Sequence, residues 1–326
     1  MRRRQFIGLA SGALAAATPL PALAAERTYR IGYLSGESAS GPPLPNYRAF
    51  VQRLADLGYS EGNNIKIDRR LATGNAALLP EMALDLVAQR VEVIVAAGSI
   101  AGFNAQKATK EIPIVILASH DGIGTSLYQS LAHPGGNITG IDSMAPALDV
   151  KRVEMLKQVL PQTTRLFLIY NPQFPGAKIH LETVLAAART LNIIVQQLEV
   201  SASSDIDAAT SAIQNEPNPV ITIDDPLISF NRKRIIDFAI QNRIPTFHEF
   251  SNNVDEGGLA SYGANLVAIW QRGAHYVDKI LKGEQPRNLP VEQPTTFDLA
   301  INLKTASLLG LTFPDALLAT ANVVIE

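Results

Sequence analysis

A chain of 326 residues that is 47% hydrophobic can bury one large or two medium cores. With 28 Lys and Arg against 30 Asp and Glu, its net charge of −2 excludes the basic footprint of a nucleic-acid-binding protein. It has no cysteine, so it folds without disulfides and has no cysteine for a lipid anchor.

The chain opens "MRRRQFIGLASGALAAATPLPALAAE": a basic start, an apolar middle and the small-residue end Ala22-Leu23-Ala24. This pattern predicts an export signal over residues 1–25, cut near Ala24 or Ala25. The middle is too short, and too interrupted by Pro19 and Pro21, for a spanning helix. Arg3-Arg4-Gln5-Phe6-Ile7 also fits a twin-arginine signal. Without Arg2, Arg3 and Arg4 the 28 basic residues become 25 against 30 acidic, a mature charge of −5. The expected mature protein is soluble, monomeric and free in the periplasm.

From there strand and helix patterns alternate. Strands are expected at 29–34, 64–69, 91–96 and 112–117, with helices at 47–57, 78–89 and after Ser99. The order then recurs, with strands at 165–170, 194–200, 220–223 and from Ile244, and helices at 179–191, 206–215 and 232–241. "KEIPIVIL" in the first half answers "NRIPTFHE" in the second. Apolar strands alternating with helices mean parallel sheets covered on both faces. The repeat predicts an α/β fold of two similar doubly wound lobes with parallel central sheets. The first takes residues 26–145 and about 265–290, the second 146–262 and about 291–326. Three crossovers form a hinge, near Asp142 and Ser143, near Tyr262 and Gly263, and at 290–294.

Open parallel sheets bind ligands beyond the carboxyl ends of their strands. In the first lobe those ends carry Tyr33, Ser35 and Gly36, then Gly98 and Ser99, then His120 and Asp121. In the second they carry Asn171, Asp224 and Asp225, and His248-Glu249. Gly98-Ser99 runs from strand into helix, and a helix N-terminus attracts an anion. The repeat sets Asp224 and Asp225 opposite it, so the cleft suits a zwitterion such as an α-amino acid. Plainer roles exist for the same residues. Ser99 and the two aspartates are helix caps by type, and His120-Asp121 can cap a turn. Tyr262 either stacks on a ligand or packs the hinge, and Trp270 reads as core. His133 belongs to a turn, and His180, His248 and His275 lack metal-ligand spacing. No catalytic, metal or cofactor motif is present: 97–101 is not a nucleophile elbow, and there is no phosphate loop.

The stretches "RIGYLSG", "LADLGYSEGNNIKID", "VEVIVAAGS", "IPIVILAS", "HPGGNITGI", "KRVEMLKQVLP", "DPLI", "GGLASYG" and "YVDKILKGEQPRNLPVEQPTTFDLAINLKTASLLGL" occur in order over almost the whole mature chain. In them the chain resembles the ABC-transporter substrate-binding proteins of the type I periplasmic-binding fold, in the branch with tryptophan and other aromatic amino-acid binders. The resemblance implies a cleft that closes around a small ligand and an inner-membrane permease as partner. It departs from the branch at Asp224-Asp225-Pro226-Leu227, where many members have Pro-Asp-Pro-Leu. Two other readings stay open: an exported hydrolase using Ser99 or Ser35, and a receptor signalling to a membrane kinase.

Overall fold

The structure is a computed structural model, and it describes residues 27–214 and 218–326. The expected export signal lies outside the described residues. In chain order the elements are β1 (Tyr29–Ser35), α1 (Pro45–Asp56), β2 (Ile65–Leu71), α2 (Leu79–Ala88), β3 (Val93–Ala97), α3 (Ser99–Ala108), β4 (Ile114–Ser119) and β5 (Ile138–Asp142). Then come α4 (Ala145–Val159), β6 (Arg165–Tyr170), α5 (Ala177–Thr190), β7 (Ile194–Glu199), α6 (Asp205–Ser211), β8 (Val220–Thr222), α7 (Pro226–Gln241), β9 (Thr246–His248), α8 (Ser251–Asp255) and β10 (Ala260–Ala264). The chain ends with α9 (Leu266–Leu281), β11 (Phe297–Asn302), α10 (Leu303–Leu309), α11 (Asp315–Leu318) and β12 (Val323–Ile325).

These strands form two sheets, ordered β2-β1-β3-β4-β5 and β12-β11-β10-β9-β8-β6-β7. Read from β7, the second sheet repeats the first position by position, then adds β11 and β12. All pairs are parallel except β10–β11, so the second sheet departs from the expected all-parallel form. Each sheet is covered on both faces, which is why its inner strands are continuously apolar rather than alternating. In the first, Tyr33, Phe50, Leu54, Trp270 and Val277 fill the α1/α9 face. Leu34, Leu79, Leu86, Ala101 and Ile116 fill the α2/α3 face. Helix α9 therefore returns from the second sheet to cover the first, while β11 and β12 extend the second.

Three connections join the lobes. The first follows β5: Asp142 accepts from Ser119 Oγ (3.1 Å) and the amides of Gly122 and Met144 (both 2.8 Å), and Ser143 Oγ donates to the Ser119 carbonyl. The second is Asn265, which caps α9 and donates to Asp298. Gly263 is not in it: contrary to expectation, it is paired within β10, opposite Asp298. The third returns beside the first, with Glu292 bridging to Ile141. Buried Arg152 of α4 binds the first two together. It donates to the carbonyls of Ala145 and Tyr262 and pairs with Asp149. Among the described residues no helix is long and apolar enough to cross a membrane.

Candidate ligand-binding site

The carboxyl ends of the two sets of strands face each other across a cavity of about 400 Å³, within the range of small-molecule sites. The first lobe supplies Ser35, Gly36, Glu37, Arg69, Gly98, Ser99 and His120, and the second Asp224, Asp225, Arg232, Lys233 and Glu256. Phe174, Phe230, Phe250, Trp270, Leu44 and Ile100 give it apolar walls.

On the first-lobe side, β3 ends in Gly98, whose φ of +83° suits glycine. Helix α3 starts at the next residue, and its first amides have no partner within the helix. Ser99 is buried, and its hydroxyl oxygen already accepts from the His120 amide at 2.9 Å, tying α3 to the end of β4. Arg69 of β2 lines the same cavity and lies close enough to Glu37 to favour its charged form. Its guanidinium sits 4.2 Å over the Tyr47 ring, and its buried Nε has no hydrogen-bond partner. Glu37 accepts from Tyr33 Oη at 3.1 Å, and burial raises its pKa.

On the second-lobe side the two aspartates differ. Asp225 caps α7, accepting from the Ile228 amide (2.8 Å) and Asn171 Nδ2 (2.6 Å). Burial pushes its pKa up to about 6 against those hydrogen bonds. Asp224 accepts from Ser229 Oγ at 2.7 Å, and burial raises it too. Arg232 is paired with Glu256, Nε to Oε1 at 2.9 Å.

Four of the expected site residues do not line the cavity. Tyr33 is wholly buried among α1 and α9, its hydroxyl accepting from Trp270 Nε1 at 3.0 Å. Asp121 caps its own turn at the Gly124 amide, Asn171 acts through Asp225, and Tyr262 packs on Phe297 with ring centroids 6.2 Å apart. Trp270, read as core, reaches the cavity as well. Sequence reasoning missed Glu37, Arg69, Phe174, Phe230 and Phe250. Glu37 directly follows Ser35-Gly36 and Arg69 lies near the end of β2, so strand-end position was their signal. The three phenylalanines are brought in by the fold.

A serine hydrolase pairs its nucleophile with a general base. Ser35 Oγ accepts from the Glu37 amide and Ser99 Oγ from the His120 amide; among the described residues neither is hydrogen-bonded to an imidazole.

Two α/β lobes that hold a polar-ended, aromatic-walled cavity between their strand ends define a solute-binding protein of the periplasmic-binding type. The family model for the ABC transporter substrate binding protein matches residues 40–325, and the chain belongs to that family. It is 27% identical over 264 residues to a tyrosine-binding protein of Clostridioides difficile, covering 81% of this chain and 76% of that one. A Streptococcus pneumoniae ABC domain in complex with L-Trp superposes with a TM-score of 0.82 at 26% identity, over 90% of this chain and all of that one. A conserved domain protein of Vibrio cholerae gives 0.84 at 29% identity, over 91% of this chain and all of that one.

Proposed function

We propose that this protein receives an aromatic amino acid in the periplasm and presents it, as a monomer, to an ABC permease. The observation that carries this reading is the polarity of the cavity. The start of α3, Ser99 and Arg69 with its unpartnered Nε line it from the first lobe, Asp224 lines it from the second, and aromatic rings line its walls. In this arrangement the carboxylate of the ligand meets the α3 terminus and Arg69 through charge-assisted hydrogen bonds. Its ammonium meets Asp224, and its ring meets Phe174, Phe230 and Trp270. The tyrosine- and tryptophan-binding relatives support an aromatic side chain. The same closed form would serve a kinase-linked receptor equally, but family membership favours transport.

Calorimetric titration with Trp, Tyr, Phe, Leu and the deaminated analogues tests the reading. An aromatic amino acid is expected to bind best. Asp224→Ala should weaken it by about a hundredfold or more, because the ammonium loses a buried partner, while barely affecting the analogue. A wild type that prefers the analogue would replace the amino acid with a simple carboxylate as ligand.

A further inference from the structure

A second cluster adjoins the cavity at His120. His120 comes from just beyond β4 in the first lobe; His180 comes from α5 and Glu249 from just beyond β9, both in the second. They are 6%, 0% and 1% exposed. One ligating atom from each lies within 4.8 Å of the other two. His120 Nδ1 is 3.2 Å from His180 Nε2, and His120 Nε2 is 3.4 Å from Glu249 Oε1.

The surroundings orient these groups. His180 Nδ1 lies 2.7 Å from Asp149 Oδ2, and Arg152 holds the other oxygen of Asp149. A carboxylate paired with arginine is an acceptor, so Asp149 is placed to hold a proton on His180 Nδ1, which leaves Nε2 of the neutral ring turned toward His120. Metal-bound imidazoles are held in this way. Glu249 is the unmet group: neither carboxylate oxygen has a hydrogen-bond partner. The Asp224 amide is near enough to favour its charged form but lies outside hydrogen-bonding geometry. A buried carboxylate in that state is costly unless a cation compensates it. Asp149 and Asp224 both lie near Glu249, with Arg152 as the cation beside it.

We propose that His120, His180 and Glu249 bind a divalent transition-metal ion of the zinc class, which ties the two lobes together beneath the ligand. Two imidazoles and a carboxylate suit Zn²⁺ or Co²⁺; Ca²⁺ and Mg²⁺ prefer oxygen ligands alone. Bonds of about 2.1 Å set tetrahedral ligand atoms about 3.4 Å apart. His120 offers one nitrogen at a time, so one edge of the triangle shortens from at most 4.8 Å. His120 lines the cavity, which gives the ion its way in. Its rival for the same space is a proton on Glu249, donated to His120 Nε2.

Zn²⁺ titrated calorimetrically into the chelator-treated mature chain, with no amino acid present, tests the site independently of the ligand reading. One ion per chain is expected, and bound Co²⁺ should show the visible absorption of a tetrahedral site. Because the ion bridges the lobes, small-angle scattering should show compaction with Zn²⁺ alone. Glu249→Gln and His180→Gln should lower affinity at least about tenfold, with folding checked by thermal melts, whereas His275→Ala should not. The absence of a stoichiometric ion, or Glu249→Gln binding Zn²⁺ like wild type, would overturn the proposal and assign the space to the proton.

Discussion

Asp224 and Asp225 are neighbours with different work. Asp225 is committed to the first turn of α7 and to Asn171, while among the described residues only the Ser229 hydroxyl donates to the Asp224 side chain. That difference is why the proposed site gives the ligand's ammonium to Asp224 and leaves Asp225 to hold the wall. It also gives a pH signature. Asp225 holds its proton to about pH 6 in the folded protein, against an ordinary value of 3.8. The folded state thus binds more protons than the unfolded state between those values, so the contribution of Asp225 to stability falls as pH rises from about 4 to about 6 and then levels, while raised Asp224 and Glu37 act in the same direction. The shift corresponds to at most about 3 kcal/mol. Urea unfolding of the ligand-free protein across pH 4–7 should show this fall, and Asp225→Asn, which keeps the cap, should lessen it. An equal fall in the variant would place the proton elsewhere.

At the level of elements, the lobes meet through two glycines. A Cβ on Gly36, after β1, would lie 2.5 Å from Pro226 Cβ at the start of α7, and one on Gly74 would lie 2.5 Å from Phe230. The first lobe thus offers bare backbone where α7 of the second docks. Gly36→Ala adds a methyl group where there is no room in the closed form, and nothing comparable acts on either lobe alone. Its expected effect is a loss of amino-acid affinity of about tenfold, as for overpacking a tight interface, with little change in the ligand-free melting temperature. Calorimetry and a thermal melt check both halves. Undiminished affinity would show that the bound form is more open than this one.

For the whole molecule, a ligand that touches both walls stabilises closure because only the closed form offers both sets of contacts. The three connections beside Asp142, Asn265 and Glu292 are short and hydrogen-bonded, so the motion they allow is a rotation of one lobe on the other. Small-angle scattering with saturating aromatic amino acid should show a smaller radius of gyration than without it. Identical profiles despite proven binding would mean a rigid, preformed cavity.

The sequence alone determined the twofold α/β plan, because apolar runs covered on both faces carry a strong local signal. The strand at 165–170 and the turn from β3 into α3 follow from it directly. It determined which strand ends carry polar residues, and family membership follows from ordered stretches along the chain. Several elements went unread, β5 and α4 among them. β5 is short and contains Gly140, and α4 buries Asp149 and Arg152, which blur its apolar face. Only the tertiary structure decided which strand-end side chains look into the cleft. Tyr33 shares a strand with Ser35 yet is drawn under α9 by Trp270, while Arg69 reaches the same cavity from a different strand. It also decided that His120 and His180, sixty positions apart, touch each other and face Glu249 from opposite lobes. Periodicity records how each segment meets its own sheet. A site between lobes depends on how two sheets meet, which no local pattern encodes.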